Sequence, residues 1–409
     1  MRRLPLAAAA ACTLVLGSFG FTATAAPSTP DVTGSYVVVL KDGTDAHKVA
    51  AAQAERFGLD VGHVYASALK GYSATMPASV ATRLESLPSV AWVQKDRPVH
   101  ATAQTTPTGI NRANADASPT AKINGADERV DVDVAVIDTG VDLTHPDINV
   151  YSAGAKNCSI GAINANDLNG HGSHVSGTIG ALDNGTGVVG MAPGARIWPV
   201  KVLTDAGSGL NSDVICGIDY VTAHADQIEV ANMSLGGSGT DDGNCGKTDG
   251  DAMHAAICKA VGAGITFVVA AGNDSADAAT FTPAAYDEVI TVSALADFNG
   301  LPGGGAASTC RSDVDDTFAD FSNYGSDVDI IAPGVCIYST SKLGGYATLS
   351  GTSMASPHVA GGAALFAATH PGATPAQVKA ALQNAGSTNW NNADDHDSTK
   401  ERLLDVSTF

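Results

Sequence analysis

The chain has 409 residues, long enough for two or three domains and a large buried core. Only 16% of residues are charged, and Asp plus Glu outnumber Lys plus Arg by 42 to 22. The resulting net charge of −20 excludes a nucleic-acid binder that works by neutralising phosphates. A hydrophobic content of 44% excludes a disordered chain, and 45 glycines anticipate close backbone packing and many tight turns.

In chain order, the first 26 residues read as an export signal. Arg2 and Arg3 supply the charged start, Leu4 to Gly20 is apolar, and Ala23-Thr24-Ala25 fits small-residue cleavage, giving a signal peptide over 1–25. The apolar stretch is short for a membrane anchor, and no other run approaches ~18 residues. A secreted, extracellular product without an anchor is expected.

Residues 31–100 read as a small α+β unit. Ser35–Leu40 is a strand, Asp45–Phe57 has helical spacing, and Tyr65–Met76 alternates like a strand pair. A second helix covers about 78–87, and Val90–Val93 returns as a strand. This β-α-β-β-α-β order is ferredoxin-like. Residues 98–109, with Pro98 and Pro107, read as a linker. Residues 1–103 carry 9 basic and 7 acidic side chains, the remainder 13 and 35, so two separately behaving units are expected.

From 131 onward, apolar runs alternate with helical patterns. The strands are Val132–Ile137, Ile197–Leu203, Val230–Met233, Ile265–Ala271 and Val289–Val292. The helices are Gly172–Ala181, Asn211–Ala223, Thr248–Ala263 and Ser353–Thr369. Near-continuous apolar strands separated by helices predict an α/β fold, a mainly parallel sheet with helices on both faces. Apart from Cys12 in the signal, six cysteines remain. In an oxidising compartment they favour disulfides. Nearest-neighbour pairing gives Cys158–Cys216, Cys245–Cys258 and Cys310–Cys336. Fifteen connectivities remain open.

Three segments carry reactive side chains. The first strand ends in Asp138-Thr139-Gly140. Half of an aspartic-protease dyad would look the same, but no second such tripeptide exists to share a proton. His171 opens a helix, with His174 one turn on, and a metal pair there lacks a third ligand at suitable spacing. Ser353 starts a helix rich in Ala and Gly. A lone Ser in that place is usually an N-cap, but with an Asp and a His placed earlier it completes a nucleophile, base and orienter.

Asp138-Thr139-Gly140, His171-Gly172-Ser173-His174-Val175 and Gly351-Thr352-Ser353-Met354-Ala355 closely resemble the three signature blocks of subtilisin-like serine proteases, in that family's order. The resemblance covers about 104–409, a subtilisin-like catalytic domain, and 31–100 resembles the family's inhibitory propeptide. It implies a self-processed zymogen, a monomer acting on protein and peptide substrates, whose own propeptide serves as intramolecular chaperone and inhibitor. Ser353 is then the nucleophile, His171 the general base, Asp138 its orienter and Asn273 an oxyanion donor.

Gly207, Ser208 and Gly209, with Ser234, Leu235, Gly236 and Gly237, resemble edges that pair with an extended substrate. Ala271 and Gly272 would join Ser234 to Gly237 in lining the first specificity pocket, which implies broad cleavage after large apolar residues. Asn211 stands where the best-known members carry an aromatic rim to the fourth pocket. A structural, non-catalytic Ca²⁺ site is implied at Gln104, Asp147, Leu182, Asn184, Thr186 and Val188, whose carboxylate, amide and carbonyl oxygens suit that ion.

Overall fold

The computed structural model describes residues 33–96, 104–397 and 399–409; the expected signal peptide and the stretch 97–103, with the start of the expected linker, lie outside them. The chain divides after Ala101 into two compact units. Among the described residues no helix is long and apolar enough to cross a membrane.

The first unit is the expected β-α-β-β-α-β chain: β1 Thr33–Leu40, α1 Ala46–Phe57, β2 Asp60–Tyr65, β3 Gly71–Pro77, α2 Ala78–Glu85 and β4 Val90–Lys95. Asp45 caps α1 by accepting from the Lys48 N–H. The four strands form an antiparallel sheet in the order β2-β3-β1-β4. Val38, Leu40, Tyr72 and Leu84 are buried between that sheet and the two helices. β2 begins at Asp60, ahead of the anticipated Tyr65, because its alternation is interrupted by a shift of register between Val61 and Val64.

In the second unit a short helix, α3 Thr108–Arg112, precedes β5 Asp133–Asp138, β6 Lys156–Asn157, α4 His171–Gly180, β7 Arg196–Lys201 and α5 Asn211–Thr222. Then come β8 Val230–Met233, β9 Gly237–Ser238, α6 Ala252–Gly262, β10 Thr266–Ala270, β11 Phe281–Thr282 and β12 Ile290–Ala296. The chain closes with β13 Thr317–Phe318, β14 Ile330–Pro333, β15 Ile337–Thr340, β16 Tyr346–Leu349, α7 Thr352–Thr369 and α8 Pro375–Ala385.

The main sheet runs β13-β12-β10-β8-β5-β7-β6, with β14 also beside β12. All its pairs are parallel except β12–β13. Alternation sorts side chains to its two faces. Val134, Val136, Val230 and Val268 enter the layer shared with α4 and α7, while Ala135, Ile137, Phe267 and Val269 enter the layer with α5 and α6. Disulfides Cys158–Cys216, Cys245–Cys258 and Cys310–Cys336 brace this unit.

Helix α6 starts at Ala252, not at Thr248. Asp242 takes the N–H groups of Asn244, Gly246 and Thr248 into a loop, and Asp251 is the true cap, accepting from Met253 and His254.

Two buried histidines give the second unit an acid-sensitive core. His174 Nε2 lies 3.0 Å from the Ile337 carbonyl, and His358 Nδ1 lies 2.8 Å from that of Met354. Burial pushes each pKa down to about 4. The unfolded value is ~6.5, so between these limits the unfolded chain binds protons that the fold refuses. Stability is therefore full above about pH 6.5 and falls as pH drops towards 4, by roughly 3 kcal/mol per histidine. Calorimetry at stepped pH is expected to show Tm falling across this window. The fall should be shallower in His358→Gln, and an equal fall in both would contradict the assignment.

Candidate active site

Asp138 ends β5 fully buried at the carboxyl edge of the parallel sheet, where such sheets place their sites. Its Oδ1 accepts from the Thr139 N–H at 2.6 Å and lies 2.8 Å from His171 Nδ1. His171 is the first residue of α4. The two elements meet closely because residue 172 is glycine: a Cβ there would stand 2.0 Å from the Gly140 carbonyl oxygen. Thr139 Oγ1 accepts from the Gly172 N–H at 2.9 Å, pinning the helix start to the strand end.

Asp167, which the sequence reading did not single out, organises this junction. One carboxylate oxygen accepts from the N–H groups of Asn169 and Gly170 and from the Thr139 hydroxyl. The other accepts from the N–H and hydroxyl of Ser173. It is an N-terminal cap for α4. Its position ahead of Gly170-His171 was a legible signal.

The His171 side chain is 25% exposed. Burial draws its pKa down, but the Asp138 charge and hydrogen bond, with the Asp167 charge behind them, outweigh burial and raise it. The Nδ1 contact with Asp138 leaves Nε2 as the ring nitrogen able to exchange a proton. His174 points elsewhere, with Nε2 near the carbonyls of Ile337 and Ala347.

Ser353 is the second residue of α7, and its hydroxyl donates to the Ser234 carbonyl at 3.2 Å. No hydrogen bond joins Ser353 to His171 among the described residues. Such bonds often tighten only when substrate is bound. The Ser234 hydroxyl returns the contact, donating to the Ser353 carbonyl at 2.9 Å. That carbonyl is available because Pro357, four residues on, has no N–H to close the helical bond. Ser234 is itself held by Asn232, whose side-chain oxygen accepts from Ser356.

Asn273 follows the end of β10. Its Oδ1 accepts from both the N–H and the hydroxyl of Thr352, at 2.8 and 3.0 Å. With the oxygen so occupied, the NH₂ group is the end of the amide left to donate. Thr352, overlooked in the sequence, therefore orients this side chain. In the first turn of α7, the Thr352 N–H goes to Asn273 and that of Met354 to Gly351, while the Ser353 N–H stays free among the described residues.

His171 and Ser353 line one cleft of about 530 Å³. Gly207, Ser208, Gly209 and Ser234 to Gly237 line it too, with Leu210, Asn211, Met253 and Thr282. Ala271 and Gly272 do not. Ala271 is fully buried, and the Gly272 N–H is spent on the Thr352 hydroxyl.

Gln104, Asp147, Leu182, Asn184, Thr186 and Val188 gather in a second cluster. The carbonyls of Leu182 and Val188 converge on the Gln104 amide nitrogen at 2.5 and 3.0 Å. Asp147, only 1% exposed, accepts from Asn184, the Val188 N–H and Tyr346, with no ion pair among the described residues. The Asn184 amide oxygen accepts from the N–H and hydroxyl of Thr186. A Cβ at residue 187 would lie 2.3 Å from the Asp147 carboxylate, so Gly187 keeps this oxygen-rich pocket open. A buried carboxylate with neutral donors alone, beside two carbonyls that share one donor, fits a hard cation.

A family model described as "Subtilase family" matches residues 130–401, and one described as "Peptidase inhibitor I9" matches residues 35–102. Subtilisin NAT from Bacillus subtilis subsp. natto is 39% identical over 315 residues, which is 76% of this chain and 74% of that protein. An extracellular serine proteinase from Thermus sp. (strain Rt41A) is 38% identical over 381 residues, 86% of this chain and 84% of that protein. A crystal structure of a cold adapted subtilisin-like serine proteinase superposes with a TM-score of 0.54 at 34% identity, covering 69% of this chain and 92% of that one.

Proposed function

Because the chain belongs to the subtilase family of serine proteinases, with an I9 inhibitor domain ahead of the catalytic one, we propose that it is a secreted, calcium-stabilised endopeptidase made as a self-processed zymogen. The observation that carries this reading is that His171, 2.8 Å from Asp138, shares one cleft with Ser353. Ser353 Oγ attacks the scissile carbonyl while His171 Nε2 takes its proton. Asp138 holds the ring and stabilises the imidazolium. The oxyanion is met by the Asn273 NH₂ and the Ser353 N–H at the positive end of α7. His171 then protonates the leaving amine, and water discharges the acyl-enzyme by the same steps.

The I9 domain acts as chaperone and inhibitor until the chain is cut between about His100 and Gln104. The export pattern of residues 1–25, and the extracellular relative, support secretion. Gln104, Asp147, Leu182, Asn184, Thr186 and Val188 would hold Ca²⁺. A bound ion stabilises the native state by mass action. EGTA is expected to lower Tm, with excess Ca²⁺ restoring it; a Tm that added Ca²⁺ does not raise removes calcium from this account.

Specificity follows from the cleft walls. The small Ser234, Gly236 and Gly237, with apolar Leu235 and Met253, suit Leu, Phe, Tyr or Met before the scissile bond. At the rim, Asn211 replaces a ring, and Leu210, 59% exposed, partly substitutes for it. At ~25 cal/mol per Å², the lost contact of tens of Å² is worth roughly 1 kcal/mol, or several-fold in kcat/KM. A peptide library varied at the first and fourth positions before the cut tests activity and specificity together. The expected result is strong selection at the first position and weak selection at the fourth, with Asn211→Tyr sharpening the fourth. Failure to cleave any member refutes the activity. A strong Phe preference at the fourth position, unchanged by Asn211→Tyr, refutes this view of the pocket.

A further inference from the structure

Outside the cleft, the loop after β9 brings Asp241 and Asp242 over the first turn of α6. There His254 is buried, its side chain 1% exposed. His254 Nδ1 lies 3.4 Å from Asp241 Oδ1 and 3.4 Å from Asp242 Oδ1. Both separations are long for N–H···O, and this buried nitrogen has no hydrogen-bond partner. The other ring nitrogen is engaged, with Nε2 2.9 Å from Glu288 Oε2. Tyr286 stacks flat on the ring at a centroid distance of 4.1 Å and an interplanar angle of 2°.

We propose that Asp241, Asp242 and His254 Nδ1 form a binding site for a first-row transition cation, Zn²⁺ being the best fit. Ligands in a tetrahedral zinc site with bonds of about 2.0–2.1 Å stand roughly 3.3–3.4 Å apart, which is the spacing from Nδ1 to each carboxylate. The three ligand atoms all lie within 4.8 Å of one another. An imidazole with two carboxylates suits zinc and its neighbours, whereas calcium takes six to eight oxygens. A water would complete the fourth position.

The surroundings are those a metal-bound histidine needs. Its distal nitrogen faces a carboxylate, Glu288, which fixes the tautomer and raises the basicity of Nδ1. The ligating carboxylates are themselves anchored: Asp241 accepts from the Gly243 N–H, and Asp242 from those of Asn244, Gly246 and Thr248. The Cys245–Cys258 disulfide fastens the loop to α6 beside the site and removes both thiols as competing ligands. Binding the cation displaces whatever proton Nδ1 carries and involves no redox change.

The test is titration of the purified, chelator-treated protein with ZnCl₂ alone, in excess Ca²⁺ so that any hard-cation site is filled. One Zn²⁺ per chain is expected, with a rise in Tm. Co²⁺ is expected to give the intense visible bands of a tetrahedral centre. Asp241→Asn, on the exposed loop, should abolish stoichiometric binding. Glu288→Gln, which touches His254 and not the ion, should weaken it 10- to 100-fold. No saturable zinc, equal affinity in Asp241→Asn and the parent, or displacement by Ca²⁺ overturns the proposal, leaving His254 a buried ring packed among carboxylates.

Discussion

Purified Ser353→Ala is expected to remain a full-length, uncut chain, and its kcat on peptides to fall on the order of 10⁶. The effect should be this large because, in the proposed mechanism, the Ser353 oxygen is what bonds to the substrate carbon. His171 without it has no nucleophile to activate. The fold should survive, since Oγ makes one hydrogen bond, to the Ser234 carbonyl, and the reciprocal Ser234–Ser353 bond uses the backbone. A fluorophosphonate should label the parent at Ser353 and leave the variant blank. Mature-sized product from the purified variant, with no other protease present, refutes self-processing.

Asp138→Asn should cost about 10⁴ in kcat. The amide is nearly isosteric, but its NH₂ would favour the tautomer with a bare Nδ1 and the proton on Nε2, where the base must be empty. The pH profile separates this from simple damage. In the parent, kcat/KM should rise as His171 loses its proton, with an apparent pKa above the usual imidazole value, and stay high into the alkaline range. Asp138 and Asp167 raise that pKa against burial. Removing the nearer charge lets burial prevail, so the limb should move to lower pH in Asp138→Asn. A loss of kcat with the limb unmoved would mean that Asp138 is not the group that sets the charge on His171.

The sheet and the three reactive segments were legible because each is written in a short contiguous stretch. Val230–Met233 is the same strand in sequence and structure, and β5 is offset by one residue from the apolar run that announced it. The supporting residues were not legible in the same way. Thr352 matters through its distance to an atom 79 residues away, which no local pattern encodes, whereas Asp167 sits four residues ahead of His171 and was passed over. The His254 site was hidden for a related reason: two aspartates attract no notice in a chain with 42 acidic residues. Helix α8 was missed despite a readable start, for Thr374 and Gln377 form a reciprocal capping box with Pro375 in the first turn.

Pro357 has a mechanical consequence. By withholding one rung of the α7 ladder it frees the Ser353 carbonyl, and Ser234 answers with a matched pair of bonds across 119 residues of sequence. The strand end along which a substrate would lie and the proposed nucleophile are therefore clamped at the same point. Tilting or sliding α7 against β8 drags both together, so the register between scissile carbon and nucleophile is insulated from strain elsewhere in the sheet. Near-attack geometry tolerates little misplacement, since about 1 Å can cost 10²-fold. The surrounding loops can thus soften or vary in length without passing that error to the reacting atoms.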